Sequence, residues 1–107
     1  MKKLIDSVMK EVGEEQERAS CIHGYVNASD HESFAIILEE YDEVVVELEK
    51  IDAQLEEFWE SIKHNLSEST KIECLRRLST SAILTACECI QVAAMAQKAI
   101  LTVKMEK

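Results

Sequence analysis

"HESFAIILEEYDEVVVELEKIDAQLEEFWESIK", residues 31–63, decides the fold. Phe34, Ile37, Tyr41, Val44, Leu48, Ile51, Leu55, Phe58 and Ile62 recur at alternating steps of three and four residues. On an α-helix that spacing forms one continuous apolar stripe, the pattern of a helix packed along a long partner helix. Neither proline nor glycine interrupts the stretch. The pattern predicts a helix from near His31 to Lys63, with Ser29 or Asp30 as N-cap and Glu32 favourably placed at the positive helix end.

The partner is supplied by the C-terminal third. A helix is predicted from about Thr70 to Val103, after a short connection "HNLSES", residues 64–69, in which Ser67 or Ser69 is the cap. Each of these helices would be about 50 Å long, and so short a connection folds them back antiparallel. A first helix is predicted from Lys2 to Arg18, followed by a loop over residues 19–30 that holds Gly24, Asn27, Ser29 and Asp30. With no proline and two glycines in 107 residues, the composition is all-α, and residues 1–107 read as a single domain. A long hairpin plus a short N-terminal helix leaves apolar surface uncovered, and Ala82, Ala86, Ala93, Ala94 and Ala96 permit close helix approach. A homodimer with a four-helix-bundle core, or a higher homo-oligomer, is therefore expected.

The net charge is −9. Such a surface repels nucleic-acid polymers and anionic membranes, so neither is expected as a partner. Charges interrupt "MKKLIDSVMKEVGEEQ" before a signal-peptide core forms, no run is read as reaching spanning length, and a cytoplasmic location follows. Cys21, Cys74, Cys87 and Cys89 are then expected to be buried, unpaired small hydrophobes. Cys21, His23 and His31 match no zinc spacing, and the sequence holds neither a nucleophilic triad nor a glycine-rich phosphate loop.

The acids concentrate on the second helix. Glu32, Glu39, Glu40, Glu43 and Glu47 are read as one flank away from the apolar stripe, and no lysine or arginine lies between Glu32 and Lys50. Like charges one turn apart repel by a few tenths of a kcal/mol per pair. Because "AII" and "VVV" interleave with them, little of this helix looks free to face water, and buried carboxylates without basic partners require a cation or shared protons. The third helix offers a counterpart in "ACECIQVAAMA", residues 86–96, where Glu88 and Gln91 project from one side. Ser81, Thr85, Lys98 and Thr102 extend that side into a polar stripe. If it faces Glu40 and Glu43, three carboxylates and an amide oxygen converge, as in carboxylate metal sites built between bundle helices.

"ILEEYDEVVVELE" and "ECIQVAAMAQKAI" resemble the MazG-like all-α nucleoside triphosphate pyrophosphohydrolases, which carry EExxE on one helix and ExxD on the next. Glu39, Glu40 and Glu43 match EExxE, and Glu88 matches the first position of ExxD. The similarity covers about residues 30–49 and 86–100. It implies Mg²⁺, with Mn²⁺ as a substitute, held by Glu40, Glu43 and Glu88, and with Glu39 binding a second ion or orienting water. It further implies cleavage of a nucleoside triphosphate to monophosphate and pyrophosphate by a dimer or tetramer. Two features depart from the pattern. Gln91 replaces the aspartate, so its amide oxygen coordinates without charge or basicity and the chemistry is weakened. The 44 residues between Glu43 and Glu88 exceed the family's usual spacing. The alternative is a catalytically inactive helical dimer acting as an interaction or structural module. Lys98 is the candidate phosphate contact, with Arg76 and Arg77 behind it. Trp59 is a candidate base-stacking residue, although packing beside Phe58 accounts for it more readily.

Overall fold

A computed structural model describes residues 1–105. It is all-helical: α1 spans Lys2–His23, α2 Asp30–Lys63 and α3 Glu68–Met105. The first helix runs five residues past its expected end at Arg18, because nothing between Ala19 and His23 stops it. Gly24 does. Its φ of 89° lies in the left-handed region that a side chain disfavours, and its N–H closes on the Ser20 carbonyl. The second helix begins as expected: Ser29 Oγ accepts from Glu32 N–H at 3.1 Å, and Glu32 reaches back to Ala28 N–H at 3.4 Å. The third begins under Ser67, whose Oγ accepts from Thr70 N–H at 3.2 Å.

α2 and α3 form the antiparallel hairpin. Its register is fixed near one end by Arg77 Nη2 on Glu57 Oε2 at 3.3 Å. At the other end Asn27 donates its backbone N–H to Thr102 Oγ1 at 2.9 Å and its side-chain amide to Ser33 Oγ at 2.8 Å. α1 packs chiefly on α3, through a small cluster of Val12, Ala94 and Met95 backed by Ala19, Ile90 and Ala93 and by Ile36 and Ile37 of α2.

The seam differs from the expected one. Its inward positions on α2 are Ser33, Ile37, Glu40, Val44, Glu47, Ile51, Gln54, Phe58 and Ser61, all buried or half-buried. Only Ile37, Val44, Ile51 and Phe58 belong to the apolar stripe read from the sequence. The other half of that stripe, Phe34, Tyr41, Leu48, Leu55 and Ile62, stays 45–66 % exposed. The apolar pattern is wide enough for two neighbouring faces, and the single hairpin covers one. Glu40 and Glu47 accordingly lie in the seam and not on an outer flank, while Glu32, Glu39 and Glu43 are exposed.

Two further expectations change. Only Cys74 is buried; Cys21, Cys87 and Cys89 are exposed, Cys89 at the edge of the α1–α3 contact beside Val8 and Val12. α3 contains an 18-residue window of mean hydropathy 1.4, long and apolar enough by composition to cross a membrane, with 17 % of it buried. The reading that no run reaches that length undercounted the small residues between Ser81 and Ala96. The whole chain is extended, 62 × 29 × 22 Å, with a radius of gyration of 18.2 Å against about 13 Å for a compact domain of this length.

Candidate metal centre and adjoining cleft

The hairpin register brings Glu88 of α3 to Glu40 and Glu43 of α2. One oxygen from each of the three carboxylates lies within 4.8 Å of the others. Glu40 and Glu43 are one turn apart on α2, and Glu88 arrives from the opposite helix. This is the convergence expected from the sequence, and the 44-residue gap between the motifs is taken up by the longer hairpin. None of the three takes part in an ion pair among the described residues.

The electrostatic signature follows from that geometry. Burial in the seam raises the Glu40 carboxyl above its ordinary value, and the charges of Glu43, Glu88 and Glu39 raise it further. Hydrogen bonding to Glu43 raises Glu88, and burial with the charges of Glu43 and Glu47 adds to the effect. Glu47 deepens the negative field: one of its oxygens meets Lys50 Nζ at 3.1 Å, while the other is buried without a partner. Gathering ionised carboxylates in a half-buried layer is unfavourable without positive charge or a shared proton. A hard divalent cation fits this donor set, since oxygen ligands held about 2 Å from an ion lie some 3–4 Å apart.

Beside the carboxylates, and sharing Glu40 with them, opens a cleft of about 540 Å³ between α1, α2 and α3. Its wall includes Glu15, Arg18, His23, Asn27, Glu32, Gln91 and Lys98 over a floor of Ile36 and Met95. Lys98 is 4 % exposed, yet it forms no ion pair among the described residues. Arg18 is tied to Glu15 at 2.6 Å and keeps most of its side chain free. The lining of the cleft therefore holds two cations, Arg18 and Lys98, together with the carboxylates of Glu15, Glu32 and Glu40.

The residues singled out in the sequence are unequally placed. Glu40, Glu43 and Glu88 come together, and Gln91 and Lys98 line the adjoining cleft. Glu39 is exposed but close enough to act on Glu40. Trp59 is not brought to the site. It lies sixteen residues beyond Glu43, about 24 Å along α2, half-exposed and capped by Lys63 Nζ at 5.8 Å from its ring centroid. Arg77 is engaged with Glu57, and Arg76 lines a separate shallow groove. Arg18 was missed, because a helix ending at Arg18 hides the one-turn spacing of Arg18 and Ile22 that both line the cleft. No protein family, curated protein or solved structure matches the chain.

Proposed function

We propose that the protein is a Mg²⁺-dependent nucleoside triphosphate pyrophosphohydrolase, releasing a nucleoside monophosphate and pyrophosphate. The observation that carries this reading is the sharing of Glu40 between the three-carboxylate group and a cleft that also holds the buried, unpaired Lys98. Such an arrangement suits a polyanion that must meet a cation cluster at one point and a divalent metal at another.

Glu40, Glu43 and Glu88 would hold the ion, with the Gln91 amide oxygen as a neutral addition. When bound, Mg²⁺ neutralises charge on phosphate oxygens and acidifies water. Lys98 and Arg18 bind the remaining phosphate charge and orient the chain of phosphates across the cleft. Glu39, exposed beside Glu40, orients the attacking water. Gln91 contributes no base, so turnover is weakened relative to a site with aspartate there. Ile36 and Met95 supply an apolar floor to the cleft. Association of chains belongs to the same reading, as does a cytoplasmic setting, which the three exposed free thiols support.

The test is pyrophosphate release from a panel of nucleoside triphosphates with Mg²⁺ or Mn²⁺. Release by the native protein, lost in Glu43→Gln, is the expected result; no release from any of them rejects the reading. Gln91 itself favours a second reading, a helical dimer that has lost its chemistry. Gln91→Asp separates the two: hydrolysis that rises or appears supports an enzyme site weakened at Gln91, and a silent variant supports the inactive module.

A further inference from the structure

The cleft runs along the hairpin, and its two ends differ in what they present to a ligand. At one end Gln91 and Glu40 adjoin the carboxylate group. The other end is closed by the loop between α1 and α2. There Asn27 donates its backbone N–H to Thr102, fourteen residues from Glu88 and about 21 Å away along α3. Lys98 lies between the two ends. Asn27 is 7 % exposed, and its side-chain nitrogen is turned onto the buried Ser33 Oγ at 2.8 Å. The planar amide therefore aims its oxygen, Oδ1, away from Ser33. That oxygen accepts no hydrogen bond among the described residues and is not sealed from solvent, so it is open to the cleft that Asn27 lines. Glu32 lines the same end from the first turn of α2. It holds Ala28 N–H at a long 3.4 Å and joins no ion pair among the described residues. Two acceptors, an amide oxygen and a carboxylate, thus stand over the apolar side chains of Ile22 and Ile36. A neutral ring of His23 adds one N–H to this end.

We infer that the loop end of the cleft seats the base of the nucleotide and selects one with an amino group on its pairing edge, cytosine or adenine, over uracil or thymine. Asn27 and Glu32 accept from that group. The inference rests on the nucleotide reading of the site and adds to it the residues that choose among bases. The order along the groove suits it: phosphates extend from the ion past Lys98 and leave the base at the loop. Cytosine and adenine each present an amino donor beside a ring nitrogen that accepts, which complements two acceptors and the His23 N–H. Uracil and thymine place a carbonyl where the amino group would be. Facing Asn27 Oδ1 and Glu32, that carbonyl sets lone pairs against lone pairs, and the desolvated acceptors go without a proton. A site that hydrogen-bonds an N–H of its ligand discriminates strongly against the analogue lacking it. Asn27 is fixed before the ligand arrives, its backbone by Thr102 and its side chain by Ser33, so binding orders no further rotor there.

CTP and UTP differ only at this edge. With Mg²⁺, kcat/KM for CTP is expected to exceed that for UTP by about tenfold or more, and ATP to exceed inosine triphosphate in the same way. Asn27→Leu keeps the size and removes the acceptor, so it should bring CTP down toward UTP. Asn27→Asp keeps Oδ1 and accepts from the Ser33 hydroxyl, so the preference should survive in it. Thr102→Val loosens the same loop without touching the base; a merely structural role for Asn27 predicts that Asn27→Leu copies it and lowers CTP and UTP alike. Glu32→Gln serves if Asn27→Leu fails to fold: its amide donates to a carbonyl, and the ratio of CTP to UTP should fall about tenfold. Equal use of CTP and UTP by the native protein, a preference for UTP, or a ratio unmoved in the folded variants overturns the inference and leaves the hydrolase reading standing. Calorimetric binding of CMP and UMP makes the same choice without turnover. CMP is expected to bind about tenfold more tightly or better; equal affinities, or binding of neither, overturn the inference. Absence of pyrophosphate release from every triphosphate rejects the hydrolase reading, and the CMP and UMP affinities then still decide the base.

Discussion

Glu43 and Glu88, on different helices, place carboxylate oxygens within 4.8 Å of each other, and the proximity of Glu43 holds Glu88 above the ordinary carboxylate range. Two acids at this distance without a cation weaken the hairpin. In metal-free buffer Glu88→Gln is therefore expected to stabilise the protein by about 0.5–1 kcal/mol. Mg²⁺ or Mn²⁺ at a hundred times its dissociation constant adds about 2.7 kcal/mol to the native protein. That gain is on the order of 10 °C in melting temperature for a domain of this size. Thermal melts with and without metal check both, and the metal response should vanish in Glu88→Gln. A native melting temperature indifferent to both ions would refute the metal site.

Acidity acts on the same cluster. Glu40 and Glu88 titrate above 4.5 in the folded protein, so in the window above 4.5 the folded state holds protons that the unfolded chain has released. Stability rises as pH falls through the raised values, and the gain is complete below the unfolded value. Glu60, lowered by its hydrogen bond to Lys63, runs in the opposite sense, and its contribution is lost only below 4.5. Metal-free melting temperatures taken from pH 7 down to 5 are expected to rise, more in the native protein than in Glu88→Gln. The Mg²⁺-induced shift should shrink over the same range, because the ion competes with protons.

Lys98 is expected to govern binding more than turnover. Lys98→Met keeps the buried stem and removes the charge, so the KM for a nucleoside triphosphate should rise about tenfold or more, as for loss of a charge-assisted contact. The melting temperature should hold, because Lys98 forms no ion pair among the described residues for the substitution to break. Steady-state kinetics beside a thermal melt reads both arms.

Thr102 tests the clamp between the α1–α2 loop and α3. Thr102→Val keeps the shape but leaves the buried Asn27 N–H without its acceptor. The expected cost is about 1–3 kcal/mol, visible as a lower urea midpoint with an unchanged slope. Amide exchange at Asn27 should accelerate along with it.

Much of this architecture is legible in the sequence, and the limit is instructive. Alternating three-and-four spacing, Ser29, Gly24 and the short Ser67 connection identify the helices to within a few residues. The same spacing cannot say which of two adjacent apolar rows faces the hairpin partner, since Ile37 and Tyr41 fit a seam equally well. The answer depends on the register between α2 and α3, which Asn27, Thr102, Glu57 and Arg77 set through contacts far apart along the chain. The meeting of Glu43 with Glu88 was legible because acids without basic neighbours stood out in both segments. Arg18 was not, because its role depends on how far α1 continues.

The seam repeats itself, with Ile37, Val44, Ile51 and Phe58 alternating with Ser33, Glu40, Glu47, Gln54 and Ser61. A periodic zipper of this kind is ambiguous: sliding one rod past the other by a single repeat lays similar teeth together again. The tight turn over residues 64–67 removes that ambiguity, because it holds too little chain to let either rod slip about 10 Å. The tip thus excludes the slipped alignments, and the Asn27–Thr102 and Glu57–Arg77 contacts select among what is left. A few residues inserted there would leave every tooth unchanged and still scatter the protein among misthreaded forms.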